Sequence, residues 1–220
     1  CNFQLRGKDS HADERFCKAL AESLHVPFYS ILFELKPYAL KHKLSTQMAA
    51  RNLRYEWFQE ILKTKGYDFL LTAHHANDSI ETMLLNLVRG TGIKGMKGIP
   101  EKNGRIIRPM LCFSKEEILK FAKAEKFAYR KDQSNRETKY DRNFIRLKVI
   151  PLLKQLNPSL ENTLLANAQR FAEEGKLLNE YLELKKLELV KVSGDIISVD
   201  RNALLQSTSK HSLLHALLSP

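Results

Sequence analysis

The sequence predicts an α/β fold, a Rossmann-like parallel sheet wrapped by helices, followed by a small, mostly helical domain. Three observations point there. Short, nearly all-apolar runs, FYSILFEL at 28–35 and FLLTA at 69–73, alternate with amphipathic helical patterns, as strands buried on both faces do. The order over 11–88 is helix, strand, helix, strand, helix. After Pro158 the pattern becomes almost wholly helical, so a first domain over 1–157 and a second over 158–220 are expected.

Each element has its own reason. CNFQL at 1–5 reads as the tail of a strand. In 11–24 Phe16, Leu20 and Leu24 recur four apart, with acidic residues near the start, which suits an amphipathic helix. Pro27 leads into the β-branched and aromatic run that ends at Leu35. Residues 45–64 form a second helix, capped by Ser45 and stopped by Gly66, with Met48, Leu53, Trp57, Phe58, Ile61 and Leu62 on a broad apolar face. After FLLTA, a third helix runs from Asp78 to Val88 and ends at Gly90.

Residues 90–104 hold five glycines and read as a loop. IIRPML at 106–111 is extended, with Pro109 favouring a strand end. Ser114 with Glu117 three residues on is a capping box that opens a helix to 125. A polar, basic loop over 129–143 overlaps the start of a helix over 142–156, which Asn157-Pro158 ends. From Ser159 to about Val192 one long helix carries Leu160, Leu164, Leu165, Ala168, Phe171, Ala172 and Leu178 on one stripe. Ser193-Gly194 breaks it, DIISV at 195–199 reads as a strand, and 209–218 is a final helix.

Composition narrows the function classes. Of 220 residues, 36 are Lys or Arg and 25 are Asp or Glu, a net charge of +11. The 43% hydrophobic content excludes a wholly disordered chain. No run approaches the roughly 18 apolar residues of a membrane span, so no membrane partner is expected. No signal-peptide pattern is visible, and because the chain opens at Cys1, some sequence is expected to precede it. Cys1, Cys17 and Cys112 form no C-x-x-C pair, which argues against a disulfide framework, a zinc ribbon or a cluster, and for a cytoplasmic home. The positive excess points to a polyanion, nucleic acid first.

In open α/β sheets the ligand crevice lies at the carboxyl ends of the strands. There the chemistry-bearing residues are concentrated: in Thr72-Ala73-His74-His75-Ala76-Asn77-Asp78-Ser79-Ile80-Glu81-Thr82, Asp78 and Glu81 stand at i, i+3 on a helix N-terminus. Both carboxylates can face one ligand, an ammonium or a divalent metal. The plainer alternative makes Asp78 a dipole-favoured first-turn residue and puts Glu81 on a solvated face. At most one of His74 and His75 can share the site. Arg51 and Arg54, also at i, i+3, can pair with a phosphate or form an exposed basic stripe. Between 89 and 109 stand Arg89, Lys94, Lys97, Lys102, Arg105 and Arg108 against the single acid Glu101, and 126–148 holds eight basic residues against three acids. Such clustering suits phosphate contacts. No G-x-x-x-x-G-K-[ST] loop occurs. His211 and His215 lie four apart with no general base between them, so no metal site is expected.

These stretches in order, CNFQLRGKDSHADERF, MAARNLRYEWF, LLTAHHANDSIETMLLNLVRGTGIKGMKGIP, IIRPML and DQSN with DRNFIRLKVIPLL, resemble the tRNA(Ile)-lysidine synthetases of the PP-loop ATP-pyrophosphatase superfamily over roughly 1–157. The resemblance implies ATP with Mg2+ as cofactors, and tRNA(Ile) and L-lysine as partners. It implies that C2 of the wobble cytidine, position 34, is adenylated, that lysine displaces AMP to form lysidine, and that decoding changes from AUG to AUA. It implies Arg54, Asp78 and Arg146 as catalytic residues and Asp78 with Glu81 around the lysine ammonium. Arg51, Arg54, His75 and Arg146 are implied at ATP, and Arg89, Lys94, Lys97, Arg105, Arg108 and Arg142 at tRNA.

The family's phosphate loop, S-G-G-x-D-S, is absent from the sequence; Ser193-Gly194-Asp195 lies too far downstream to replace it. A fragment lacking that loop and its strand is expected, with little adenylation activity alone and an open sheet edge suited to homodimer pairing. Two other readings compete: a 2-thiocytidine synthetase-like PP-loop enzyme, and a non-catalytic RNA-binding module.

Overall fold

The computed structural model describes residues 1–130, 141–194 and 196–218. They form two compact units, the first comprising 1–73, 101–109 and 120–130, the second 74–100, 110–119, 141–194 and 196–218. DQSN at 132–135 and Asp195 lie outside the described residues.

In the first unit α1 (Lys8–Ser23) starts ahead of the expected residue 11. Asn2 ties it to the next segment: its N–H donates to Ile31 O at 2.8 Å, its carbonyl accepts from Phe33 N at 2.9 Å, and its side chain donates to Glu14 Oε2 at 2.7 Å. The expected buried strand at 28–35 is here a single parallel bridge between Asn2 and Leu32, and from Leu35 the chain turns into α2 (Leu35–Lys41), a helix the sequence pattern hid. Aromatic and β-branched residues suit extended backbone, but a ladder needs a paired neighbour, and among the described residues Asn2 supplies one position. Ser45 caps α3 (Thr46–Thr64) as expected, accepting from Met48 N at 3.3 Å. Ala49 and Ala50 of α3 are buried against Leu35, with Phe3, Tyr38, Leu44 and Leu53 around them.

The sheet of this unit has the order β1 (Leu70–Leu71), β3 (Ile106–Ile107), β2 (Lys102–Asn103). Leu70 pairs with Ile106 and Leu71 with Ile107 in parallel. β2 returns antiparallel through a tight turn at Gly104, whose φ of 58° a glycine adopts without a Cβ penalty. The α/β class stands, but the sheet is small and mixed, and Leu71 is 64% exposed where burial on both faces was expected. A two-residue turn can join only antiparallel strands, so the basic, glycine-rich connection itself makes the third strand.

In the second unit α4 (Ala76–Arg89) packs its buried Ile80 against Ile145, Ile150 and Leu160. Ile145 and Ile150 belong to a helix built in three joined pieces: α7 (Asp141–Phe144), a π-turn (Ile145–Val149) and α8 (Ile150–Leu156). Ile150 N bonds back to Ile145 O, one residue wider than an α-turn, and Pro151, which has no N–H to give, follows at once. Leu160 opens the 30-residue α9 (Leu160–Leu189).

The glycine-rich stretch is not a bare loop: it holds α5 (Ile93–Met96), packed on α9. Gly98, at φ 69°, lies so close to α4 that a Cβ there would collide with Ser79 Oγ, and Ser79 Oγ accepts from Ile99 N at 2.9 Å. α6 (Lys115–Ala124) opens with the expected box: Glu117 N donates to Ser114 Oγ at 3.2 Å and Ser114 N to Glu117 Oε2 at 2.7 Å.

The long helix ends before the expected Val192. β4 (Val190–Ser193) pairs antiparallel with β5 (Ile196–Val199), because two β-branched strands flanking Gly194 satisfy each other's backbone. α10 (Arg201–Gln206), capped by Asp200 through Ala203 N at 3.0 Å, was not anticipated, and α11 (Lys210–Leu218) was. Among the described residues no helix is long and apolar enough to cross a membrane.

Candidate active site

The second unit gathers one network of charged groups at the N-terminus of α4. Its start is a capping box with an imidazole in the hydroxyl's usual place. His75 N donates to Asp78 Oδ2 at 2.9 Å, and Asp78 N donates to His75 Nδ1 at 3.3 Å. A nitrogen that accepts this bond carries no proton, so the neutral ring holds its hydrogen on Nε2. Burial lowers the His75 pKa, against the upward pull of the Asp78 and Glu81 carboxylates. Other bonds pin the same turn: Ala76 N donates to Phe113 O at 2.9 Å, Lys115 N to Asn77 Oδ1 at 2.8 Å, and Thr82 Oγ1 to Asp78 O at 2.8 Å.

One turn on, Glu81 is only 1% exposed. A carboxylate buried this far persists as an ion only when charged donors surround it. Arg146 supplies two contacts, Nε to Oε1 at 2.5 Å and Nη2 to Oε2 at 2.8 Å, and Arg142 Nε reaches Oε2 at 2.8 Å. The bond to Glu81 raises the Arg146 pKa more than burial lowers it. Asp78 Oδ1 lies at longer range, 3.4 Å from Arg142 Nη2 and 3.6 Å from Arg146 Nη2. Arg142 Nη2 also donates to the Asp78 carbonyl at 2.9 Å. Two carboxylates and two guanidiniums form a neutral, cross-braced set.

The carboxylate pair on one helical face is therefore present, and the solvated-face alternative for Glu81 is overturned by its burial. Asp78 stands in the first turn of α4 and faces the same two guanidiniums as Glu81. His75, expected at ATP, is the helix cap. Arg142, expected at tRNA, points its side chain at Glu81 and Asp78. Its place was open to inference: Arg142 and Arg146 are i, i+4 on one helix, the complement of the i, i+3 acids.

The remaining expected residues stand elsewhere. Arg51 and Arg54, both exposed, belong to α3 in the first unit, with guanidiniums over Tyr55 at 4.9 Å and Phe3 at 5.4 Å. Arg105 binds the Tyr67 and Asp68 carbonyls, the latter at 2.8 Å, and Arg108 is 7% exposed. Arg89 pairs with Asp141 at 2.6 Å on an open surface. Lys94 is exposed and Lys97 runs across Gly175 of α9, where a Cβ would meet its Nζ. Among the described residues no three His, Cys, Asp or Glu gather to hold a metal, and Glu81 is taken up by two guanidiniums, which leaves one carboxylate, too few donors to fit Mg2+.

Residues 1–153 match the family model of the PP-loop domain. The tRNA(Ile)-lysidine synthase of Parabacteroides distasonis is 44% identical over 99% of this chain and 49% of its own length. That of Bacteroides thetaiotaomicron is 38% identical over the whole chain and 51% of its own length. The chain thus spans about half the length of the curated relatives it matches. A solved structure, the U34-tRNA thiolase NcsA of Methanococcus maripaludis with its [4Fe-4S] cluster, superposes with a TM-score of 0.62 over 78% of this chain and 60% of that one at 15% identity, a likeness of fold. The mixed α/β unit, the strand-to-helix turn that carries the acids and the family match agree: the chain belongs to the PP-loop domain family.

Proposed function

We propose that this chain is the part of a tRNA(Ile)-lysidine synthase that handles lysine. The observation that carries the reading is the Asp78–Glu81 pair, supported by relatives of that name at 44% and 38% identity. In the proposed reaction the C2 oxygen of cytidine 34 attacks the α-phosphorus of ATP and pyrophosphate leaves. A lysine amine then attacks C2, the C2–O bond breaks, AMP leaves and the amine loses a proton.

Asp78 takes the ammonium, because its guanidinium contacts at 3.4 and 3.6 Å are looser than those on Glu81. Glu81 holds the arginines. Arg146 meets the phosphate charge that develops as pyrophosphate and AMP leave. The basic residues Arg89, Lys94 and Lys97 contact tRNA phosphates. No step is assigned to Mg2+. A cytoplasmic location and a homodimer belong to the same proposal. Because S-G-G-x-D-S is absent from these 220 residues, the chain alone adenylates little.

The test is a calorimetric titration with L-lysine beside Asp78→Ala. Binding by the parent and none by the variant is expected. Absence of binding, both in this chain and in one extended by a segment bearing S-G-G-x-D-S, overturns the reading.

A further inference from the structure

We infer that Arg142 is a positioning residue that sets the two carboxylates against each other, and not a contact to nucleic acid. The inference rests on the lysine reading only for what the carboxylates then hold. Of the two arginines in the network, Arg142 is the one whose fork spans both acid-bearing residues by short bonds. Its Nε binds Glu81 Oε2 at 2.8 Å and its Nη2 binds the main-chain oxygen of Asp78 at 2.9 Å. One planar group thus joins a side chain to the backbone three residues earlier. The Asp78 carbonyl also receives Thr82 Oγ1 at 2.8 Å, and the Asp78 carboxylate and N–H close the box with His75. Gripping that carbonyl fixes the turn from which the Asp78 side chain departs.

Arg146 meets the acids differently: its short bonds to them go to the Glu81 carboxylate, and it stands 3.6 Å from Asp78 Oδ1. The burial of Ile145 against Ile80 holds the Arg142-bearing helix on α4, so the guanidinium arrives already oriented. The side chain is 38% exposed.

The geometry separates the two roles by chemistry. A phosphate contact is a matter of charge and tolerates lysine. A fork that serves two acceptors at fixed angles does not, because an ammonium is a single point of charge. Arg142→Lys and Arg142→Gln are therefore compared with the parent in three measurements. The first is the His75 imidazole titration followed by NMR, which reads the Asp78 turn without any ligand; the charged groups facing His75 are Asp78, Glu81, Lys115 and Arg146. The second is L-lysine affinity by calorimetry. The third is the salt dependence of affinity for a tRNA anticodon stem–loop.

Positioning predicts that both variants move the His75 pKa up toward its ordinary value, weaken lysine by about tenfold or more, and leave the salt slope unchanged. A salt slope reduced by about 1 in Arg142→Gln, restored in Arg142→Lys, with His75 unmoved, overturns the inference and makes Arg142 a phosphate contact. If the parent ignores lysine while both variants shift His75, the lysine reading fails and the positioning role stands.

Discussion

Glu81 and Arg146 meet through both carboxylate oxygens, Nε to Oε1 at 2.5 Å and Nη2 to Oε2 at 2.8 Å, with the acid almost wholly out of water. Removing one partner leaves a buried charge with much of its compensation gone. Arg146→Met is expected to cost about 3–5 kcal/mol of stability. Adding Glu81→Gln to that variant restores a good part of the loss, since the orphaned charge is then gone. Urea unfolding of the two single variants and the double variant measures it, and simple additivity of the single effects refutes the pairing.

The pH dependence of stability follows from His75. Burial holds its pKa below the ordinary 6.5. As pH falls through 6.5 the unfolded chain takes up this proton before the folded one does, so stability rises with pH across that window. The contribution is complete above 6.5 and is lost as pH falls from there through the folded pKa. His75→Asn keeps a capping acceptor and removes the titration. Chemical unfolding at about pH 5 and about pH 8 is expected to show a smaller difference for this variant than for the parent.

Gly98 combines a left-handed backbone, φ 69°, with contact against Ser79 Oγ. Gly98→Ala is expected to destabilise by about 1–2 kcal/mol from the backbone alone, and by more while Ser79 keeps its hydroxyl. The double variant Ser79→Ala, Gly98→Ala relieves the collision but not the φ strain, so thermal denaturation places it between parent and single variant on that collision term, after the Ser79→Ala cost is subtracted.

Ile80 is fully buried where α4 meets Ile145, Ile150 and Leu160. Ile80→Ala is expected to cost about 2–5 kcal/mol in denaturant unfolding. The same change loosens the seat of Arg142 and Arg146, so the His75 NMR signal is expected to broaden or shift in the folded variant.

Local signals were legible where the physics is local. Ser45, and Ser114 with Glu117, cap helices through backbone N–H groups three residues away, and sequence spacing alone contains that geometry. Glycine and proline punctuation located the ends of α3 and α8. The i, i+3 spacing put Asp78 and Glu81 on one face. Pairing was less legible. Residues 28–35 have strand composition but one bridge, and Val190–Ser193 has strand composition that the preceding helical stripe concealed until β5 paired with it. The glycine-rich segment was opaque because its surroundings come from other helices: Gly98 lies against Ser79 of α4, and Lys97 runs across Gly175 of α9.

By itself the sequence determined the α/β class, the Ser45 and Ser114 helix caps and the acidic pair at a helix N-terminus, all consequences of periodicity and short-range hydrogen bonding. Only the tertiary structure decided that Glu81 is buried and that Arg142 and Arg146 neutralise it. Those partners lie 61 and 65 residues downstream, and they are brought to Glu81 by the packing of Ile145 and Ile150 on Ile80. A buried charge selects its counter-charges by what the apolar core delivers within hydrogen-bond distance, and that selection has no signature in local spacing.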